Sequence, residues 1–168
     1  MDTIKAAIFD LDGTLVDSMW VWERIDMEFL KKRGYTVPEN LKDNITHLSF
    51  KQVAQYFKTT FSIDDSVEAI MDEWHEMAYN EYSNNVFLKE GAMEYLHSLK
   101  KAGIKIALAT SNSKPLLEAT LKNNGIYDLF DSITVTDEVK KGKDNPDIYL
   151  LAAEKLNVNP VNCMVYED

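Results

Sequence analysis

The sequence predicts an α/β fold, in which a parallel sheet flanked by helices is interrupted after its first strand by an inserted all-helical domain. Three observations lead there. Four short apolar runs have the length and the two-sided hydrophobicity of strands covered on both faces. Amphipathic helical patterns of about three turns precede each of the last three runs. One long interval, 17–85, carries helical periodicity alone.

Composition suits an object of that size. The 168 residues are 45% hydrophobic, enough for one ordinary domain with an insertion. Lys and Arg number 18 against 28 Asp and Glu, a formal net charge of -10. No basic face able to neutralise a row of phosphates is expected, and hence no nucleic-acid partner. No apolar run approaches the ~20 residues that a membrane span requires, and Met1 leads into a charged, strand-like segment, so no membrane association and a cytoplasmic location are expected. The single cysteine, Cys163, is expected to be a small buried hydrophobe.

The first strand is Lys5-Ala6-Ala7-Ile8-Phe9, stopping at Asp10 and Gly13. The inserted interval follows. Its first helix carries Trp22, Ile25, Phe29 and Leu30 at spacings of three and four, with Asp17-Ser18 as its cap. Its last helix carries Val67, Ile70, Met71, Trp74 and Met77 and closes at Ser83-Asn84-Asn85. Beyond it a helix is predicted over 92–101, a strand over Ile104–Ala109, a helix over Pro115–Asn124, a strand over Ser132–Val135, a helix over Pro146–Leu156 and a strand over Cys163–Tyr166. The two prolines stand at helix starts, where a missing N–H costs least.

Acidic residues at the carboxyl end of a buried strand matter because ligands of open α/β sheets bind beyond those ends. Asp10 stands there, with Asp12 two residues on, Gly13 to permit a tight turn and Thr14 to brace it. The second long strand runs into Thr110-Ser111-Asn112-Ser113, hydroxyls and backbone N–H groups at a helix start, suited to phosphate oxygens. The loop 140–147 brings Lys140, Lys141 and Lys143 toward the same edge, and one of them can neutralise a phosphoryl group. Glu167 and Asp168 end the fourth strand. Like charges ~4 Å apart repel by about 4 kcal/mol at an intermediate dielectric, so four carboxylates at one edge imply a cation. Oxygen-only ligands favour Mg over Zn. Glycine stands fourth rather than sixth after Asp10, which excludes a calcium-binding helix–loop–helix, and His47, His75 and His97 show no metal-ligand spacing.

These residues resemble the haloacid dehalogenase superfamily, in the phosphatase and beta-phosphoglucomutase-like branch with a helical cap after the first strand. Four motifs occur in order over Ile4–Asp168: Phe9-Asp10-Leu11-Asp12-Gly13-Thr14-Leu15-Val16-Asp17-Ser18, Ala109-Thr110-Ser111-Asn112, Gly142-Lys143 before Pro146-Asp147, and Val165-Tyr166-Glu167-Asp168. The resemblance implies a discontinuous Rossmann-like catalytic core over 1–16 and 86–168 and a helical cap over 17–85. It implies Asp10 as nucleophile, Asp12 as general acid and then base, Thr110 and Ser111 as phosphate ligands and Lys143 as charge neutraliser. Asp10, Asp168, the neighbouring Glu167 and the backbone carbonyl of Asp12 would hold Mg. The expected function is a Mg-dependent phosphatase of a small phosphorylated metabolite, possibly a sugar phosphate, acting through an aspartyl-phosphate on Asp10. A sugar phosphomutase and a non-catalytic binding protein on the same fold stand as alternatives.

Two departures bear on this. Relatives that are sugar-phosphate mutases carry an arginine near the position of Phe50 and a histidine near that of Trp22, which favours hydrolysis here. Relatives also continue past the fourth motif, so a truncated or proteolysed piece of a longer protein is expected, with weak metal affinity and little activity. Trp20, Trp22, Phe50, Lys51 and Tyr79 are candidates for substrate selection, with packing the expected role of each.

Overall fold

A computed structural model describes residues 3–168 of the chain. They divide into two compact units, Met1–Met19 with Tyr82–Asp168, and Trp20–Glu81. The first unit is built on a four-stranded parallel sheet of β1 (Ala6–Phe9), β4 (Lys105–Thr110), β5 (Ser132–Val135) and β6 (Cys163–Tyr166), in the order β5-β4-β1-β6. Two further strands, β2 (Val16–Asp17) and β3 (Phe87–Leu88), pair antiparallel as a separate ribbon.

The ribbon is absent from the sequence-based expectation, because two-residue strands carry no readable alternation. It also explains where the units part. Val16 and Asp17 are tied to Leu88 and Phe87, and Lys89 N–H donates to Leu15 O at 2.8 Å. The boundaries accordingly fall at 19/20 and 81/82, inside the predicted 17–85 insertion at both ends.

Strand β1 is buried along its whole length, as an apolar run flanked by strands on both edges requires. Its alternation sorts two faces. Ala6 and Ile8 join Ala107 and Ala109 of β4 against Ile148, Ala152, Ala153 and Leu156, on and just past α7 (Asp147–Lys155). Three of those four sheet positions are alanine, which lets the helix approach closely. Phe9 faces the other way, meeting Tyr95 of α5 (Ala92–Lys101) edge-on at 6.2 Å. Each Leu or Ile fully buried in this way contributes about 1.5–3 kcal/mol. Cys163 is half-buried rather than fully buried; β6 pairs with β1 along one edge, and no strand among the described residues pairs with its other edge.

The second unit holds α1 (Val21–Lys32), α2 (Leu41–Ile45), α3 (Phe50–Thr60) and α4 (Val67–Asn84) as far as Glu81. Ile25, Phe29 and Leu30 of α1 and Ile70 and Trp74 of α4 are buried as their spacing predicts, whereas Trp22 is 36% exposed. Trp74 meets Phe29 at 5.5 Å and Phe57 at 5.0 Å, both edge-on, and each such pair contributes about 0.5–1.5 kcal/mol beyond its burial. Ser49 and Gln52 form a capping box at α3. The cap predicted for α1 does not form, since Trp20 occupies the N-cap without a side-chain bond and Ser18 is engaged elsewhere. Helix α4 ends at Asn84, within the Ser83-Asn84-Asn85 stretch where it was expected to close. Among the described residues no helix is long and apolar enough to cross a membrane.

Candidate active site

The parallel sheet brings three strand ends to one edge. Asp10 follows β1, Thr110 ends β4, and Glu167 and Asp168 follow β6. The neighbours of β1 are reached by chain segments that lead to opposite sides of it, the arrangement at which open α/β sheets bind ligands.

Asp10 is buried at 7% exposure, and its N–H donates to Tyr166 O at 2.9 Å, which locks the end of β1 to that of β6. The stacked rings of Phe9 and Tyr166, 4.6 Å apart, hold the same junction. Thr14 Oγ1 donates to Asp10 Oδ2 at 3.2 Å, the local brace that the tight turn predicts. Lys143 Nζ lies 2.7 Å from Asp10 Oδ1 and is also paired with Glu167, so one ammonium spans two carboxylates. Lys140 and Lys141 are exposed, and Lys143 is the loop lysine whose ammonium meets Asp10.

The electrostatics follow the geometry. Burial pushes the Asp10 carboxyl above its ordinary value, opposed by Lys143 and reinforced by the charge of Glu167. Burial also acts to raise Glu167, but Lys143 and the Tyr149 hydroxyl outweigh it and hold that carboxyl low. Tyr149, on α7, donates to Glu167 and has its own phenol pushed upward by burial and by that carboxylate.

Asp10, Glu167 and Asp168 each offer an oxygen within 4.8 Å of the others. These three carboxylates suit a hard divalent ion, because all donors are oxygen and no imidazole or thiol competes. A second feature fits. Gly13, at φ +80°, leaves open the space into which Asp168 Oδ2 reaches, and a Cβ there would stand 2.5 Å from that oxygen. The residues present therefore fit Mg.

Asp12 stands apart from this cluster. Its Oδ1 accepts from Ser18 Oγ at 2.6 Å and from Tyr82 Oη at 2.5 Å, while Oδ2 accepts from Asn112 Nδ2 at 3.0 Å. The side chain is thus committed to hydroxyl and amide donors, and its carboxylate is not one of the three clustered acids.

Thr110 is buried, and its Oγ1 accepts from Asn112 N at 3.0 Å. Ser111 is exposed at the turn. Asn112 Oδ1 accepts from Ser113 N at 2.8 Å, just before α6 (Lys114–Asn123). Asn112 therefore ties the turn after β4 to Asp12. Sequence reasoning read Ser18 as a helix cap and gave no catalytic role to Tyr82, Asn112 or Tyr149. Ser18 and Asn112 were legible as motif members, whereas Tyr82 lies 70 residues from Asp12 with no local signal.

Known proteins resemble this chain along nearly its whole length. A family model described as haloacid dehalogenase-like hydrolase matches residues 4–168. The phosphorylated carbohydrates phosphatase of Thermotoga maritima is 31% identical over 165 residues, spanning 98% of this chain and 76% of that relative. Hexitol phosphatase A of Escherichia coli is 34% identical over 165 residues, spanning 98% of this chain and 74% of that protein. A solved structure from Thermotoga maritima, provisionally assigned as a beta-phosphoglucomutase, superposes with a TM-score of 0.86 at 30% identity, covering 96% of this chain and 75% of that one.

Proposed function

The chain belongs to the haloacid dehalogenase-like hydrolases, and from that premise we propose that it is a Mg-dependent phosphatase of a small phosphorylated metabolite, acting through an aspartyl-phosphate on Asp10. The observation that carries the reading is Asp10 itself: a buried carboxylate at a strand end, 2.7 Å from Lys143 and grouped with Glu167 and Asp168. The similarity to phosphatases of phosphorylated carbohydrates and hexitol phosphates supports a sugar or polyol phosphate as the substrate class. The helical unit, 20–81, takes the role of the family's cap.

Asp10 attacks phosphorus with one carboxylate oxygen, and the bond from phosphorus to the alcohol oxygen breaks with its electron pair going to that oxygen. Asp12 gives its proton to the departing oxygen. In the second half Asp12 takes a proton from water, whose oxygen bonds phosphorus as the bond to Asp10 breaks and inorganic phosphate leaves. Lys143, paired with Asp10 and Glu167, offsets charge at the transferring group, and the turn at Thr110 and Ser111 supplies donors to its oxygens. Mg held by Asp10, Asp168, the Asp12 carbonyl and Glu167 beside them would supply electrostatic shielding between the anionic nucleophile and the anionic phosphate.

Hydrolysis is favoured over mutase chemistry by one further observation. Trp22 and Phe50, near the positions where mutases carry a histidine and an arginine, pack ring against ring at 5.6 Å and offer no cation for a second phosphate. Phosphate release from a panel of sugar and polyol phosphates and 4-nitrophenyl phosphate, with Mg and with excess chelator, tests the proposal. Mg-dependent release is expected. Interconversion of sugar 1- and 6-phosphates without release would establish the mutase instead, and binding without turnover a non-catalytic protein.

A further inference from the structure

We propose that Tyr82 is a positioning residue for the acid–base carboxylate: together with Ser18 it saturates Asp12 Oδ1 and leaves Oδ2 as the oxygen that carries the moving proton. The inference rests on the phosphatase reading of Asp12. A carboxylate oxygen offers two in-plane lone pairs, and Oδ1 already accepts two hydroxyl donors, from Ser18 at 2.6 Å and Tyr82 at 2.5 Å. Protonation there would have to expel one of them. Oδ2 accepts one hydrogen bond among those described, from the Asn112 amide at 3.0 Å, which leaves its second lone pair for a proton.

Tyr82 suits the task because of where its ring lies. The side chain is 1% exposed and the hydroxyl of a buried phenol needs a partner, which Asp12 supplies. Ser18, 2% exposed, is as firmly enclosed. Two buried donors thus fix the plane of the carboxylate, and Asn112 anchors its other oxygen to the turn that carries Thr110 and Ser111. Carboxylate orientation and the place of the phosphate cradle are thereby linked.

The chemistry supplies a test that a merely structural tyrosine would not pass. The alkoxide of a sugar or polyol needs a proton as the phosphorus–oxygen bond breaks, whereas 4-nitrophenolate leaves without one. In addition, kcat/KM reports only the steps through departure of the leaving group, so the later attack of water does not enter. Tyr82→Phe keeps the ring and deletes one oxygen. Its kcat/KM for the best alkyl phosphate is expected to fall about tenfold or more, while that for 4-nitrophenyl phosphate changes less than about threefold. Ser18→Ala removes the other donor to the same oxygen and should show the same selectivity for the alkyl ester, a check that stands if Tyr82→Phe melts early. Equal losses on both esters, or none, overturn the proposal while leaving the phosphatase reading intact. A parent protein that hydrolyses neither ester overturns both.

Discussion

Gly13 and Asp168 meet across the site: the Cβ that Gly13 lacks would stand 2.5 Å from Asp168 Oδ2, and its backbone has a φ of +80°. The two facts have separate costs. A left-handed residue other than glycine loses roughly 1 kcal/mol or more, and the clash would force the Asp168 carboxylate aside. Gly13→Ala is expected to lower the melting temperature by several degrees and to weaken Mg binding at least about tenfold, read by calorimetric titration. Unchanged Mg affinity would show that Asp168 does not hold the ion.

Asp10→Asn keeps the shape of the side chain and removes its nucleophilicity. Turnover is expected to fall by about a thousandfold or more, with the melting temperature little changed because the buried carboxylate that burial disfavours becomes a neutral amide. Phosphate release and a thermal melt on the same preparation check both halves. Retained turnover removes Asp10 from the mechanism.

The three loop lysines separate cleanly. Lys143 touches Asp10 and Glu167, whereas Lys140 and Lys141 are exposed. Lys143→Met is expected to lower kcat by about 100-fold to 1,000-fold, since it withdraws a preorganised cation and leaves two neighbouring carboxylates uncompensated. Lys140→Met and Lys141→Met should stay within about twofold of the parent, as exposed charges at a distance are screened. An equal loss in all three would assign the effect to net charge rather than to contact.

Asp26, half-buried on α1, has its carboxyl pushed up to about 7 by burial and by the nearby Glu23. The folded chain therefore holds that proton more tightly than the unfolded chain, whose carboxyl titrates near 3.8. Stability falls as pH rises between those values, by up to ~1.4 kcal/mol per pH unit, and levels off above the folded value. Asp26→Asn removes this dependence. Its stability advantage over the parent, from denaturant melts at pH 4, 5.5, 7 and 8.5, should be small at pH 4, grow to pH 7 and then stay constant. An advantage that does not vary with pH would contradict the assignment.

Wherever chemistry depends on strand ends and local turns, the sequence carries it alone. The apolar run before Asp10, the glycine after Asp12, the hydroxyl run after Ala109 and the acids after Tyr166 predicted a parallel sheet with these groups at one edge, and the sheet order β5-β4-β1-β6 brings them there. Strands of one direction must present their carboxyl ends on one side, whatever packs around them. The helical stripes of the insertion were legible for the same reason, because periodicity near 3.6 is a property of neighbouring residues.

Tertiary structure decided what depends on distance through space. Three lysines in one loop were equivalent by charge, and only the family resemblance set Lys143 apart; its contact with Asp10, 2.7 Å from Nζ to Oδ1 across 133 residues, is a property of the fold. Ser18 reads as a helix cap, since serine before an apolar stripe usually is one, yet Asp12 offers it a charged acceptor and α1 begins uncapped. Tyr82 carries no signal in the residues around it. Its hydroxyl finds Asp12 because burying a phenol without a partner is costly, and which partner lies within reach is settled by how the chain folds back, a property that no window of sequence contains.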